Sequence, residues 1–170
     1  MSNCVSLKVI QLSDHDTLLA LMQRIYPPAY KYLWQNEDCT WYLHSQYGYN
    51  NFKQELQQPN SDYFFIQQAN KHIGILRLVH NTETKSTKLH RLYLDQDYQG
   101  QGLGKKMMTI TKEISKKNQS NTLWLEAMQN QQQALQFYLK QGFSIQNTYQ
   151  LPFDLIHEHL RGIHKMSKQI

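Results

Sequence analysis

Gln99-Gly100-Gln101-Gly102-Leu103-Gly104 is the stretch that decides the reading of this chain. On its N-terminal side, Lys88 to Leu94 contains Leu89, His90, Arg91, Leu92, Tyr93 and Leu94, a run that predicts a strand. On its C-terminal side, Leu103, Met107, Ile110 and Ile114 recur at i, i+4, i+7 and i+11, the apolar stripe of a helix. The segment is therefore the loop of a strand–loop–helix unit. A helix N-terminus presents N–H groups without intrahelical acceptors and a partial positive charge, and together these bind phosphate. Glycine at 100, 102 and 104 permits positive φ and removes side chains that would hold a pyrophosphate away.

Two common nucleotide motifs fail on this loop. A Walker A loop needs G-x-x-x-x-G-K-[ST], but Gln99 stands five residues before Gly104, and Lys106 follows Lys105. A dinucleotide fingerprint begun at Gly100 needs glycine at 105, which is lysine. A plain structural tight turn is the reading that remains beside a phosphate cradle.

Outward from the loop, the chain divides into regular pieces. Val5 to Leu12 predicts a strand, and Ser13 or Asp14 can cap a helix carrying Leu18, Leu21, Met22 and Ile25. Pro27-Pro28 is expected to end or kink that helix. The aromatic-rich stretch from Tyr30 to Gln58 reads as one or two short helices, closed by a turn at Pro59 to Asp62. Tyr63 to Ile66, His72 to His80 and Lys88 to Leu94 follow as hairpin-linked strands, an antiparallel meander. Past the glycines, Thr122 to Met128 is a short apolar strand, and Asn130 is the expected cap of a helix with Ala134, Leu135, Phe137 and Tyr138. Gly142 sits where a helix terminator belongs, and Phe143 to Leu151 and Gly162 to Lys168 read as two last strands. The fold class is α/β, a mixed, mostly antiparallel twisted sheet flanked by helices on both faces, in a single domain over residues 1–170.

The bulk properties narrow the partners. The formal net charge is +5, which suits an anionic partner, and lysines at 105, 106, 112, 116 and 117 follow directly on the glycines. A nucleotide cofactor explains this placement better than nucleic acid, which should bring basic residues interleaved with exposed aromatics. For Lys112, Lys116 and Lys117, a solvated helix face explains as much. Cys4 and Cys39 form no metal-binding pattern, so a reduced, cytoplasmic protein without a metal is expected. The start, Met1 to Leu7, shows no secretory pattern, and no stretch approaches a membrane helix.

Gln99-x-x-Gly102-x-Gly104 resembles the pyrophosphate-binding motif of the GNAT superfamily of N-acetyltransferases. Leu123-Trp124-Leu125-Glu126 resembles that family's fifth strand, and Asn130-x3-Ala134-x2-Phe137-Tyr138-x3-Gly142-Phe143 its second motif. The likeness is specific over residues 88–145, and the element order fits over the whole chain. It implies direct transfer of an acetyl group from acetyl-coenzyme A, as co-substrate, to a primary amine. It further implies that Leu92, Tyr93 and Leu94 pair with the pantetheine arm, that the sheet diverges there from the strand at 123–127, and that Gln99, Gly100, Gln101, Gly102, Leu103, Gly104 and Lys105 take the pyrophosphate. Lys105 and Lys140 are candidates for the adenosine 3′-phosphate, and Asn130 for the pantetheine if it does not simply cap its helix.

Two proton transfers remain. Tyr138 is the family's usual donor to the departing sulfur, and a phenol stays protonated at neutral pH. The attacking amine must itself be neutral. Many family members place a glutamate on the strand before the loop where this chain has His90, and Glu126 on the adjoining strand is the other candidate base.

The acceptor is less legible. Phe52-x2-Glu55-Leu56, Pro59-x-Ser61-x-Tyr63-Phe64-Phe65-Ile66 and Leu92-Tyr93-Leu94 are similar to bacterial polyamine N-acetyltransferases of the PaiA kind. That likeness implies a small polycation such as spermidine, for which Glu37, Asp38, Glu55 and Glu126 are the available carboxylates. The alternatives are a protein N-terminus or lysine, or an acyl-coenzyme A sensor without turnover. Homodimers are common in the family. His157, His159 and His164 alternate as though along one exposed strand face.

Overall fold

A computed structural model describes residues 4–170, so Met1 to Asn3, which open the stretch searched for a leader, lie outside it. The helices are α1 (His15–Tyr30), α2 (Thr40–Tyr47), α3 (Tyr49–Gln57), α4 (Leu103–Lys117) and α5 (Gln132–Lys140). The strands are β1 (Val5–Val9), β2 (Ser61–Gln68), β3 (Lys71–Asn81), β4 (Ser86–Leu94), β5 (Thr122–Met128), β6 (Ser144–Gln150) and β7 (Gly162–Gln169). They form one seven-stranded sheet in the order β1-β2-β3-β4-β5-β7-β6.

Connection length sets the strand directions. Ala69 and Asn70 both have positive φ and join β2 to β3, and Asn81 to Ser86 joins β3 to β4, so each pair is a hairpin. β1 with β2, β5 with β7 and β6 with β7 are antiparallel, while β4 with β5 is parallel, as a strand–helix–strand crossover through α4 requires. The mixed, mostly antiparallel sheet is the one read from the sequence. The β4–β5 register runs from Ser86↔Thr122 to Leu89↔Leu125, and β4 continues beyond it to Leu94.

The chain packs as two compact units. The first comprises the residues up to Arg77 together with Arg91–Leu103. Its core holds Leu18, Met22 and Ile25 from α1, Phe52 from α3, and Phe65, Ile66, Ile73 and Ile75 from β2 and β3. The second comprises Leu78–His90 and Gly104–Ile170, with Met107, Met108, Leu123, Leu125, Leu135, Phe143 and Met166 buried.

Local details differ from the sequence reading. α1 runs through Pro27 and Pro28 to Tyr30, and the Lys31 N–H donates to the Pro27 carbonyl. A proline disturbs the turn before it, whereas the turn after it is still held by the Pro27 carbonyl. α5 begins at Gln132 with Gln131, not Asn130, in the capping position, because Gln131 N–H turns back onto the Met128 carbonyl. On α4 the fully buried positions are Met107, Thr111 and Ser115, with Ile110 and Ile114 half-buried beside them. The Ser115 hydroxyl donates to the Thr111 carbonyl at 2.7 Å, so a polar face is tolerated in the core. His157 precedes a short 3-10 turn (Glu158–Leu160) and His159 lies within it, so of the three only His164, on β7, belongs to a strand.

Candidate active site

The loop after β4 is braced before the helix begins. Buried Asp95 receives the Asp97 N–H at 3.1 Å, pairs with Arg24 of α1, and through its own N–H donates to the Ile73 carbonyl at 2.8 Å. The Gln99 side-chain amide donates to the Leu94 carbonyl at 3.1 Å, and that of Gln101 to the Asp97 carbonyl at 3.4 Å. Both glutamines thus fold inward and tie the loop to itself. Gly100 and Gly102 have φ of +74° and +76°, the region that favours glycine. No heavy atom lies within 4 Å of where a Cβ would stand on either residue. The loop therefore leaves open space beside its backbone as it enters the first turn of α4, where N–H groups have no intrahelical acceptor. Open space beside positive-φ backbone, with its N–H groups unscreened by side chains, is compatible with a pyrophosphate.

Gly104 serves a different purpose. A Cβ there would lie 3.2 Å from the Phe137 ring, so the glycine lets α4 rest against α5. That contact borders Tyr138. The end of α5 explains why the motif Tyr138-x3-Gly142-Phe143 has its spacing. Gly142, at φ +87°, ends the helix; its N–H donates to the Leu139 carbonyl at 3.0 Å and the Phe143 N–H to the Tyr138 carbonyl at 3.1 Å. This is a Schellman closure, and its accompanying apolar contact is Tyr138 against Phe143, ring centroids 5.7 Å apart. The terminator thereby fixes the tyrosine ring from backbone and side chain together. Tyr138 also meets Phe137 edge-on at 5.3 Å. Among the described residues its hydroxyl has no hydrogen-bond partner, and burial pushes its pKa up to about 12. The group is a proton-bearing donor with nothing yet to donate to.

The two candidate bases differ in their surroundings. His90 is half-buried on β4 and shares a strand face with Lys88. Glu126 has both carboxylate oxygens engaged. One accepts from the Tyr149 hydroxyl and the other pairs with Lys88 at 2.6 Å. Lys88 and Lys165 lie 4.6 and 4.5 Å from the Trp124 ring centroid, so Glu126 sits within a cationic, aromatic patch. Lys105 and Lys140 are exposed on the first turn of α4 and the last turn of α5.

Of the carboxylates named for a polycation, Glu55 is already spent. It lies 2.6 Å from Arg91 and 3.8 Å from Arg77, both buried. Arg91 also donates to Gln46 at 3.1 Å and Tyr63 at 3.4 Å, and Gln58 accepts from Arg77 at 2.5 Å. Glu37 pairs with Lys31 at 3.1 Å, and Asp38 accepts the Thr40 N–H at 2.9 Å. The Arg91 network, one residue before the Leu92–Leu94 segment, escaped the sequence reading. An arginine on the same strand face as Leu89 and Tyr93 was the available signal, since a buried guanidinium needs a carboxylate.

Residues 20–143 match the model of the Acetyltransferase (GNAT) family. The chain belongs to this family. It is an acyltransferase, and acetyl-coenzyme A is its acyl donor. An uncharacterized N-acetyltransferase of the pepI 3′ region in Lactobacillus delbrueckii subsp. lactis is 23% identical over 145 residues, covering 81% of this chain and 84% of that protein. The solved PaiA N-acetyltransferase of Thermoplasma acidophilum, in complex with coenzyme A, superposes with a TM-score of 0.79 at 18% identity, over the whole of both chains. A chimera of the Vibrio cholerae spermidine N-acetyltransferase SpeG with hSSAT gives 0.75 at 14% identity, over 99% of this chain and 96% of the other. These GNAT acetyltransferases share the present fold. No helix among the described residues is long and apolar enough to cross a membrane, and no group of three or more His, Cys, Asp or Glu could hold a metal ion.

Proposed function

We propose that this GNAT acyltransferase acetylates a small primary amine, with a polyamine such as spermidine as the substrate class, by direct attack in a ternary complex. The observation that carries the reading is the open, positive-φ backbone at Gly100 and Gly102 before α4, joined in one sequence to a Tyr138 hydroxyl that is protonated and unengaged. The full-length likeness to PaiA and SpeG supports a small amine over a protein acceptor.

Acetyl-coenzyme A supplies an acetyl thioester. The amine nitrogen bonds to the acetyl carbon, the carbon–sulfur bond breaks, and its electron pair leaves on sulfur. The loop backbone from Gln99 to Lys105 holds the pyrophosphate, with Lys105 and Lys140 toward the 3′-phosphate. The backbone of Leu92, Tyr93 and Leu94 aligns the pantetheine arm, and the Leu94 carbonyl also accepts a hydrogen bond from the Gln99 side chain. Asn130, which lies outside its helix, is the side chain assigned to the same arm.

Tyr138 donates a hydrogen bond to the departing sulfur. A phenol near 12 against a thiol near 8.5 makes complete proton transfer uphill by more than three orders of magnitude. The hydroxyl therefore steadies the thiolate by a hydrogen bond and keeps its own proton, while the proton lost by the amine goes to the base. His90 and Glu126 are the two candidate bases, and the Glu126 carboxylate would first have to part from Lys88 and Tyr149. The unpaired Cys4 and Cys39 support a cytoplasmic enzyme, and family habit supports a homodimer.

The test is thiol release from acetyl-coenzyme A across spermidine, lysine, an aminoglycoside and short peptides. Fast release with spermidine supports the reading. Release only with peptides moves the substrate to protein N-termini or lysines. Tight coenzyme binding with no release for any amine makes the protein a sensor.

A further inference from the structure

The first unit contains a cluster of tyrosines that the reaction scheme leaves unused. Tyr26 of α1 is stacked between Tyr30 and Tyr42, with both centroid separations 4.7 Å. Tyr93 of β4 meets this stack edge-on, 5.6 Å from Tyr30 and 6.0 Å from Tyr26. Tyr47 of α2 lies edge-on to Tyr42 at 6.4 Å. The rings bring their hydroxyls toward one another: Tyr42 and Tyr93 approach to 3.5 Å, and Trp34 Nε1 donates to the Tyr26 hydroxyl at 3.1 Å. The Tyr47 side chain is fully buried, and its hydroxyl has no hydrogen-bond partner among the described residues.

A packed core has no reason to gather phenols this way. A phenylalanine at each position would bury the same ring without a polar atom, and an orphaned buried hydroxyl destabilises the fold. The cluster lies at the end of β4, where Tyr93 is itself the middle residue of the Leu92–Leu94 segment. Tyr30, Tyr42 and Tyr93 are half-buried, so the cluster reaches the surface. Its charged neighbour is Arg91, whose guanidinium sits 4.8 Å from the Tyr47 ring centroid and is already neutralised by Glu55.

We propose that the hydroxyls of Tyr42, Tyr47 and Tyr93 form the seat of the acceptor's primary amine, with the surrounding rings lining an unbranched methylene stem. The proposal rests on the acetyl-transfer reading above and deepens it. Phenol oxygens accept the N–H bonds of an amine and can donate to its lone pair. Glu55, the carboxylate beside the site among the described residues, is committed to Arg91, so an ammonium gains no ion pair from it, and desolvation favours the neutral amine that can attack. A flat aromatic lining accepts a bare methylene chain and disfavours an α-amino group beside a branched, carbonyl-bearing carbon. The seat therefore selects the ends of aliphatic amines and polyamines over peptide N-termini.

The test uses Tyr42→Phe and Tyr47→Phe with spermidine and n-butylamine as probes, at saturating acetyl-coenzyme A. Each substitution is expected to raise the amine KM roughly three- to tenfold, the worth of one hydrogen bond, and to leave the acetyl-coenzyme A KM within about twofold. Without amine, Tyr47→Phe is expected to raise Tm, because it deletes an unsatisfied buried group. An unchanged amine KM in both variants, with normal turnover of these amines, overturns the seat and leaves the acetyl-transfer reading intact. Turnover of peptides alone by the unaltered enzyme does the same. An unaltered enzyme that acetylates no amine at all overturns both.

Discussion

Replacing Tyr138 with phenylalanine separates chemistry from packing. The ring contacts to Phe137 at 5.3 Å and Phe143 at 5.7 Å survive, as do the backbone bonds that close α5 at Gly142. What disappears is a hydroxyl with no partner among the described residues, so stability should move by no more than about 1 kcal/mol. The loss falls on the transition state, where the departing sulfur no longer receives a hydrogen bond. Loss of one hydrogen-bond donor to a developing negative charge lowers rates by about 10²- to 10³-fold, a barrier increase of about 3–4 kcal/mol. Initial rates of thiol release at saturating acetyl-coenzyme A and amine, beside a thermal melt of the same sample, measure both quantities. The pH profile adds a control. With the phenol pKa near 12, the unaltered enzyme should show no Tyr138-dependent alkaline limb below about pH 11. Turnover within about threefold of the unaltered enzyme, at an unchanged melting temperature, would refute the role assigned to Tyr138.

Other outcomes follow from the same geometry. Glu55→Gln takes from buried Arg91 the carboxylate that lies 2.6 Å from it and should cost about 3–5 kcal/mol in a denaturant titration; a loss below about 1 kcal/mol would show that the pairing is incidental. Gly102→Ala meets no steric clash but puts a side chain at φ +76°, so the acetyl-coenzyme A KM should rise while the amine KM holds; the opposite pattern would move the pyrophosphate off this loop. Burial raises Tyr63 and Tyr138 from 10 to about 12. The folded state thus holds these protons more tightly than the unfolded chain. Their contribution is complete below pH 10 and lost as pH rises toward 12, so circular dichroism should show stability falling across that window. A flat response there would contradict the burial of these phenols.

The parts legible in sequence were those in which one short segment fixes its own geometry. Glycines at 100 and 102 announce a positive-φ loop, and the spacing of Tyr138, Gly142 and Phe143 is the spacing of a helix terminator. The parts that were not legible depend on residues distant in the chain. Glu55 and Arg91 are 36 positions apart, and nothing local says that the glutamate faces a buried arginine and not a substrate. Glu126 acquires Lys88 and Tyr149 only because β4, β5, β7 and β6 lie in that order. The apolar stripe on α4 suggested Ile110 and Ile114 as core, whereas Thr111 and Ser115 are the buried residues, and only the Ser115 hydroxyl is satisfied on its own helix among the described residues. The tyrosines at 30, 42 and 47 belong to a stretch that reads as loosely aromatic, and only Tyr26 of α1 and Tyr93 on the returning β4 gather them into one cluster.

The central claim is direct acetyl transfer from acetyl-coenzyme A to a primary amine, and mass spectrometry of one reaction tests it most directly. Enzyme, acetyl-coenzyme A and spermidine are incubated, and protein and small molecules are weighed together. The account predicts acetylspermidine and free coenzyme A in equal amounts, with the protein mass unchanged when acetyl-coenzyme A is supplied alone. Coenzyme A released without an acetylated amine, or a protein heavier by one acetyl group before amine is added, would contradict it.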